Sequence, residues 1–192
     1  MRRSTLSLLI LLILAAPFTL VADQRGFVDA PHPDAPDELQ QFAFLIGSWQ
    51  CDVEYLGADW KTPQKGKGTW TAQWALDGWA VIDNFRGVFS PGYLATTIRV
   101  YNPRHQTWHG YWVDPKNGYW SKPLIGKKTP TGMLLETEIQ TRDPEGNVVD
   151  VDLRYEFLDI KADSFHWRQN SSLDGGETWR ENTMTIDCKR DR

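Results

Sequence analysis

The chain has 192 residues, with 25 acidic against 21 basic side chains and a formal net charge of −4. That length suits one domain able to bury a sizeable core. The acidic balance, with no basic stripe, argues against nucleic acid, whose binding rests on cationic contacts with phosphate, and against anionic membrane surfaces.

Residues 1–22 have the three-part layout of a secretory signal peptide. Arg2 and Arg3 form a basic start, an apolar run extends from Leu6 to Leu20, and Ala22 precedes Asp23. Cleavage is expected after Ala22, because Pro17 would follow a cut at Ala16. The run is short for a membrane-spanning helix, which needs roughly 20 residues, so no stable membrane insertion is expected once the leader is gone. An uncleaved anchor is the alternative. Without the leader, 19 basic residues face 25 acidic ones. The protein is expected to be secreted or periplasmic.

Residues 23–41 carry Pro31, Pro33 and Pro36 and read as an extended linker. A short helical turn starts within it at Asp37, with Asp37 as the expected cap. Leu39, Phe42 and Leu45, three apart, would close one end of whatever follows as a plug.

From residue 42 to 192 the helical period gives way to alternation. Strands are predicted near 47–56, 67–76, 79–88, 93–102, 106–114, 118–124, 131–141, 148–158, 163–171 and 178–188. Turn residues mark the boundaries, among them Leu76-Asp77-Gly78, Ser90-Pro91-Gly92, Asn102-Pro103, Pro115-Lys116-Asn117-Gly118, Thr129-Pro130-Thr131-Gly132 and Pro144-Glu145-Gly146. Connections this short join antiparallel neighbours, whereas parallel strands need long crossovers. Ten strands in an open meander would expose two long edges; closure into an up-and-down barrel removes both. The fold class is therefore all-β, an antiparallel barrel of about ten strands with a short N-terminal helical plug.

Parity assigns the faces. Val149, Val151, Leu153, Tyr155 and Phe157 point one way; Asp150, Asp152, Arg154 and Glu156 point the other. Trp70, Ala72, Trp74 and Leu76 share a face, as do Trp49, Cys51, Val53 and Tyr55, and Met184, Ile186 and Cys188. The two cysteines lie on the apolar faces of the first and last strands, which adjoin in a closed barrel. An exported chain with two cysteines favours a Cys51–Cys188 disulfide across that seam. Two buried free thiols are the alternative.

The start Phe42-Ala43-Phe44-Leu45-Ile46-Gly47-Ser48-Trp49, read as Phe-x-Phe-Leu-Ile-Gly-Ser-Trp, resembles that of the lipocalin-like (calycin) barrels. Leu76-Asp77-Gly78-Trp79-Ala80, Arg99-Val100-Tyr101-Asn102-Pro103 and Ser164-Phe165-His166-Trp167-Arg168 are similar to segments of exported bacterial domains of unknown function in that group, distant relatives of nitrobindin. The resemblance covers about residues 42–188. It implies a barrel with a cavity, in which Gly47 and Trp49 are structural and the tryptophan packs across the closed end. It implies no shared activity.

Ten tryptophans are present. Several alternate along strands, including Trp70 with Trp74, Trp108 with Trp112, and also Trp120 and Trp167. They either fill the core or wall a pocket for an apolar, aromatic or sugar ligand. Arg86, Arg99, Tyr111 and Arg168 are candidates to meet an acid group of that ligand, and His166 is a further candidate. Two phases stay open. Trp108, Gly110 and Trp112 face in, or else His109, Tyr111 and Val113 do; Phe165, Trp167 and Gln169 likewise oppose His166, Arg168 and Asn170.

His105 and His109 would lie about 13 Å apart along a strand, too far to share one ion, so no metal site is predicted. No cofactor is predicted either; haem held by His166 is a minor alternative suggested by nitrobindin-like barrels. Ser172-Leu173-Asp174-Gly175-Gly176-Glu177-Thr178-Trp179 matches the Asp-box of sialidase-type propellers. A propeller needs repeated copies, and this single copy reads as a turn between the last two strands in which Asp174, Gly176 and Trp179 are structural. No nucleophile elbow is present. Asp83 and Glu156 would form an acid–base pair only by both pointing inward. The expected function is a barrel holding a small apolar or aromatic molecule. The rivals are a barrel enzyme of isomerase, hydratase or cyclase type, and a filled barrel that binds another protein. A lumen below about 300 Å³ would exclude a ligand of ordinary size. Oligomeric state has no signature.

Overall fold

A computed structural model describes residues 27–87 and 93–191. The expected leader and the Ser90-Pro91-Gly92 turn lie outside the described residues. Twelve strands are present in this order: β1 (Phe27–Val28), β2 (Gly47–Leu56), β3 (Pro63–Ala75), β4 (Ala80–Gly87), β5 (Leu94–Asn102), β6 (Thr107–Asp114), β7 (Tyr119–Trp120), β8 (Leu124–Thr129), β9 (Gly132–Arg142), β10 (Val148–Leu158), β11 (Ser164–Ser172) and β12 (Arg180–Arg190). Ten of them form a closed antiparallel up-and-down barrel, because β12 pairs with β2 and β4 pairs with β3. The two short strands attach to its wall, β1 to β3 and β7 to β6. Closure pairs the first and last barrel strands, which an open sheet would leave as edges.

Closure puts Cys51 directly opposite Cys188, with Cα atoms 4.2 Å apart and a disulfide joining them. Both cysteines are on the inner face and buried. The inward sets expected for β2, β10 and β12 are the ones observed.

Four of the sequence-based expectations differ from the structure. Phe27–Val28, within the expected linker, pairs with Ala75 and Trp74 of β3 just past the end of β2. Leu76 is exposed, not inward: strand β3 ends at Ala75, and positive φ at Leu76, Asp77 and Gly78 swings the chain out. The segment expected as a strand at 118–124 is broken after Trp120, and β8 runs on to Thr129. Pro123 cannot donate a ladder bond. Ser121 instead takes two bonds to Trp112, its amide donating to the Trp112 carbonyl and its Oγ accepting the Trp112 amide. Finally, Asp37 makes no side-chain cap; Pro36 opens a 3-10 helix over Asp37–Leu45.

That helix is nevertheless the plug. Leu39, Phe42 and Leu45 are fully buried, and Phe42 meets Trp108 and Phe157 edge to face. Trp49 Nε1 donates to the Leu45 carbonyl at 2.8 Å. The Arg190 guanidinium stacks 4.1 Å over Trp49 and donates to the carbonyls of Phe44, Ile46 and Ala162. One cation thereby satisfies carbonyls that the short helix leaves open. Gly47 has φ +121°, and a Cβ there would lie 2.6 Å from Arg190 Nη1, so glycine is required at this crossing.

The β11–β12 connection is the expected turn. Asp174 accepts from the Thr178 amide and hydroxyl and from Ser172 Oγ, while Gly176 N donates to Ser172 Oγ and Trp179 Nε1 to the Gly176 carbonyl. The bonds from Thr178, side chain first, and from Ser172 hold the Asp174 carboxyl at about 2, below its ordinary 3.8. A carboxyl lowered on folding contributes stability above its unfolded value and loses it as pH falls through the folded one. The turn is therefore expected to loosen between about pH 4 and pH 2. Hydrogen exchange at the Gly176 and Thr178 amides reads this directly; a rate profile that Asp174→Asn leaves unchanged would count against it.

Candidate functional site

The barrel is hollow. The end where the 3-10 helix docks is closed, and a cavity of about 540 Å³ occupies the remainder of the interior. Aromatic rings stand at several points of its wall, among them Trp70 from β3, Trp112 from β6, Tyr119 from β7, Tyr155 and Phe157 from β10 and Trp167 from β11. Tyr155 and Trp167 stack with ring centroids 5.3 Å apart. Alternation on paired strands brings these rings together, because each contributes every second residue to the inner face.

Two charged side chains stand in this apolar wall. Asp83 and Arg99 are 2% and 4% exposed. Their strands pair in register Val81↔Arg99 and Asp83↔Thr97, so the two are diagonal neighbours on the inner face. Arg99 Nη1 donates to Asp83 Oδ2, and Trp70 Nε1 donates to Asp83 Oδ1 at 2.8 Å. The Arg99 carbon CZ lies 5.2 Å from the Phe42 ring centroid and 5.9 Å from that of Phe157, which places the pair on the plug at the bottom of the lumen. Gly110 is the cross-strand partner of Arg99, and a Cβ there would press on Arg99 Cγ at 3.2 Å and on the Ile98 carbonyl at 2.9 Å. Burial pushes the guanidinium down to about 9, which leaves it cationic at neutral pH. Its Nε is buried and has no hydrogen-bond partner.

The upper wall is more polar. Burial would raise the Asp114 carboxyl, but the Asn117 side chain and the Asn117 and Lys116 amides outweigh it and hold the carboxyl below its usual value. Asp114 is thereby tied to its own turn. Burial raises Tyr93 to about 12, with the Asp114 charge adding to the effect, and raises Tyr155 well above the ordinary tyrosine value. Both phenols are neutral hydrogen-bonding groups at physiological pH.

Of the sequence-predicted ligand residues, Trp70, Arg99 and Trp112 line the cavity. Trp74 is buried but is not part of the cavity lining; Val28 and Val81 are its cross-strand partners. The other five lie outside the lumen, each at outward parity. Arg86 follows inward Phe85 and is exposed. Tyr111 is 43% and Trp120 64% exposed, which decides β6 in favour of Trp108, Gly110 and Trp112 facing in. His166 pairs with Asp187 at 2.9 Å, and Arg168 with Glu156 at 2.6 Å, both on the outer wall. Haem held in the lumen by His166 is therefore ruled out by its direction, and among the described residues no histidine lines the cavity. Glu156 serves Arg168 and Asn170 outside, so no Asp83–Glu156 pair exists. Tyr93, Asp114, Tyr119 and Ser121 were not anticipated; they stand near turns or strand breaks, where parity fails. Tyr155 carried its signal in the β10 alternation.

Fold and site together define a closed ten-strand antiparallel barrel with an open lumen and a buried charge pair at its floor. No family model matches the chain, and no curated protein matches it in sequence. Among solved structures it is similar to the crystal structure of Rv2717c from M. tuberculosis, with a TM-score of 0.52 and 17% identity over 83% of this chain and 100% of the other. That likeness concerns the fold.

Proposed function

We propose that the protein is an exported carrier or sensor that holds a small, largely apolar, ring-bearing molecule in its lumen. The observation behind this reading is the cavity of about 540 Å³, well above the volume of roughly 300 Å³ at which ordinary ligands begin to fit. Burying about 300 Å² of apolar ligand surface would give about 7 kcal/mol before ordering costs, enough for useful affinity if the site is preorganised. Preorganisation is supported by the wall itself, where ring-on-ring contacts and the disulfide seam hold the barrel. The leader-like residues 1–22 and the resemblance to exported nitrobindin-related domains support export.

An enzyme is the second reading, because Asp83 and Arg99 are two ionisable groups in contact inside the cavity. Their arrangement disfavours acid–base work. Two donors already occupy the carboxylate, arginine does not give up its proton at neutral pH, and Asp114 is saturated by its turn.

Native mass spectrometry on protein purified from an exporting host is expected to show a retained small molecule. A lumen-filling change, Ala95→Phe, is expected to reduce binding of an apolar fluorophore at least tenfold while the far-ultraviolet spectrum stays that of the parent. Failure of the parent to bind any apolar probe would remove the proposal.

A further inference from the structure

The floor of the lumen holds an unmet donor. Arg99 has five N–H groups, of which one nitrogen serves Asp83 while Nε has no partner although it is buried. Buried donors are almost always satisfied, and each exception calls for a physical account. Here Arg99 is one of the residues that line the cavity, with its guanidinium carbon near the Phe42 and Phe157 rings and unable to retreat to solvent. A group arriving at the floor of the lumen meets a guanidinium whose donors Asp83 does not exhaust.

The charge state of the floor narrows what that group is. Asp83 already neutralises Arg99, and Trp70 fixes the second carboxylate oxygen. An anion placed there would meet a neutral pair with a carboxylate at its back, and desolvating its own charge would go uncompensated. A cation would meet the guanidinium. A neutral oxygen acceptor needs no compensation and completes the donor set. The surrounding rings ask for a flat apolar body above it.

Resting on the lumen-binding reading, we propose that the ligand is an electroneutral polycyclic or aromatic molecule bearing a carbonyl-type oxygen, which enters oxygen first and is read by Arg99. Arg99 is then the specificity determinant, and Asp83 is its positioning residue.

Three probes on one phenanthrene frame test this: 2-acetylphenanthrene, 2-ethylphenanthrene and phenanthrene-2-carboxylate, titrated at pH 7 with tryptophan quenching as the readout. The ketone is expected to bind at least tenfold more tightly than the ethyl compound and than the carboxylate. In the variant Trp70→Phe/Asp83→Leu/Arg99→Met, which removes the whole polar set so that no partner is left orphaned, the ketone and the ethyl compound are expected to bind within about twofold of each other. Equal binding of ketone and ethyl compound to the parent overturns the Arg99 assignment while leaving lumen binding intact; so does tightest binding of the carboxylate, which would mark an anion site. Discrimination that persists in the variant places the oxygen elsewhere and also overturns it. If none of the three binds, the lumen-binding reading itself fails.

Discussion

Replacing Arg99 alone by methionine is expected to lower stability by about 3–5 kcal/mol, because it leaves the Asp83 carboxylate buried without its cation. Trp70 Nε1 would still donate to that carboxylate, but one neutral hydrogen bond is a small offset for a charge that is 2% exposed. The triple change Trp70→Phe/Asp83→Leu/Arg99→Met is expected to cost far less, about 1–2 kcal/mol, although it alters three side chains instead of one. A buried ion pair is weakly stabilising against apolar replacements but strongly destabilising when halved. Urea unfolding of the two variants checks the ordering. A triple variant less stable than Arg99→Met would mean that packing, not charge, governs this floor. The contrast bears on the proposed function, because folding alone gains little from such a pair. The proposed reading of a ligand oxygen by Arg99 would account for its position in the lumen.

The second large effect concerns the seam. Cys51 and Cys188 are 137 residues apart in sequence, and the bridge between them closes nearly the whole barrel into one loop. Chain entropy for a loop above 100 residues gives an upper bound of about 4–5 kcal/mol, and measured effects usually fall at about 2–4 kcal/mol. The double change Cys51→Ala/Cys188→Ala is therefore expected to lower the unfolding free energy by about 2–4 kcal/mol. The register of β2 on β12 should persist, since Val53↔Ile186 and the neighbouring pairs do not involve sulfur. Urea titration measures the loss, and exchange protection along β2 and β12 reports whether the seam stays shut. A loss below about 1 kcal/mol would show that the ladder and the Arg190–Trp49 latch close the barrel unaided. The sulfur pair is buried on the inner face, so reduction of the native protein is expected to be slow and to track global opening.

How much of this was legible beforehand varies strand by strand. In β10, five apolar residues at one parity against Asp150, Asp152, Arg154 and Glu156 at the other leave a single solution, and Tyr155 follows from it. In β5 the pattern is inverted. Thr97 and Arg99 face the lumen, while Val100 on the opposite face is 39% exposed, so hydrophobicity by itself points the wrong way. In β6 and β11 both faces carry aromatic and polar residues, and period-two alternation states only which side chains share a face, not which face is inside. The strand expected at 118–124 failed for a local reason: Lys127, Lys128 and Gly126 dilute the alternation of β8, and Ser121 replaces a ladder bond that no propensity records.

Alternation, turn residues and cysteine parity by themselves determined that this chain makes an antiparallel barrel of about ten strands with a helical plug, and which residues form its seam. Those features are carried by neighbours in sequence, within a strand or a turn. Only the tertiary structure decided that the barrel is hollow, that β6 and β11 turn Trp112 and Trp167 inward, and that Asp83 meets Arg99 at the floor. Each of these depends on strands that become neighbours when the sheet closes, and on whether the summed volume of inward side chains fills the circle they enclose. Here it does not, and the remaining space holds a guanidinium with a donor to spare.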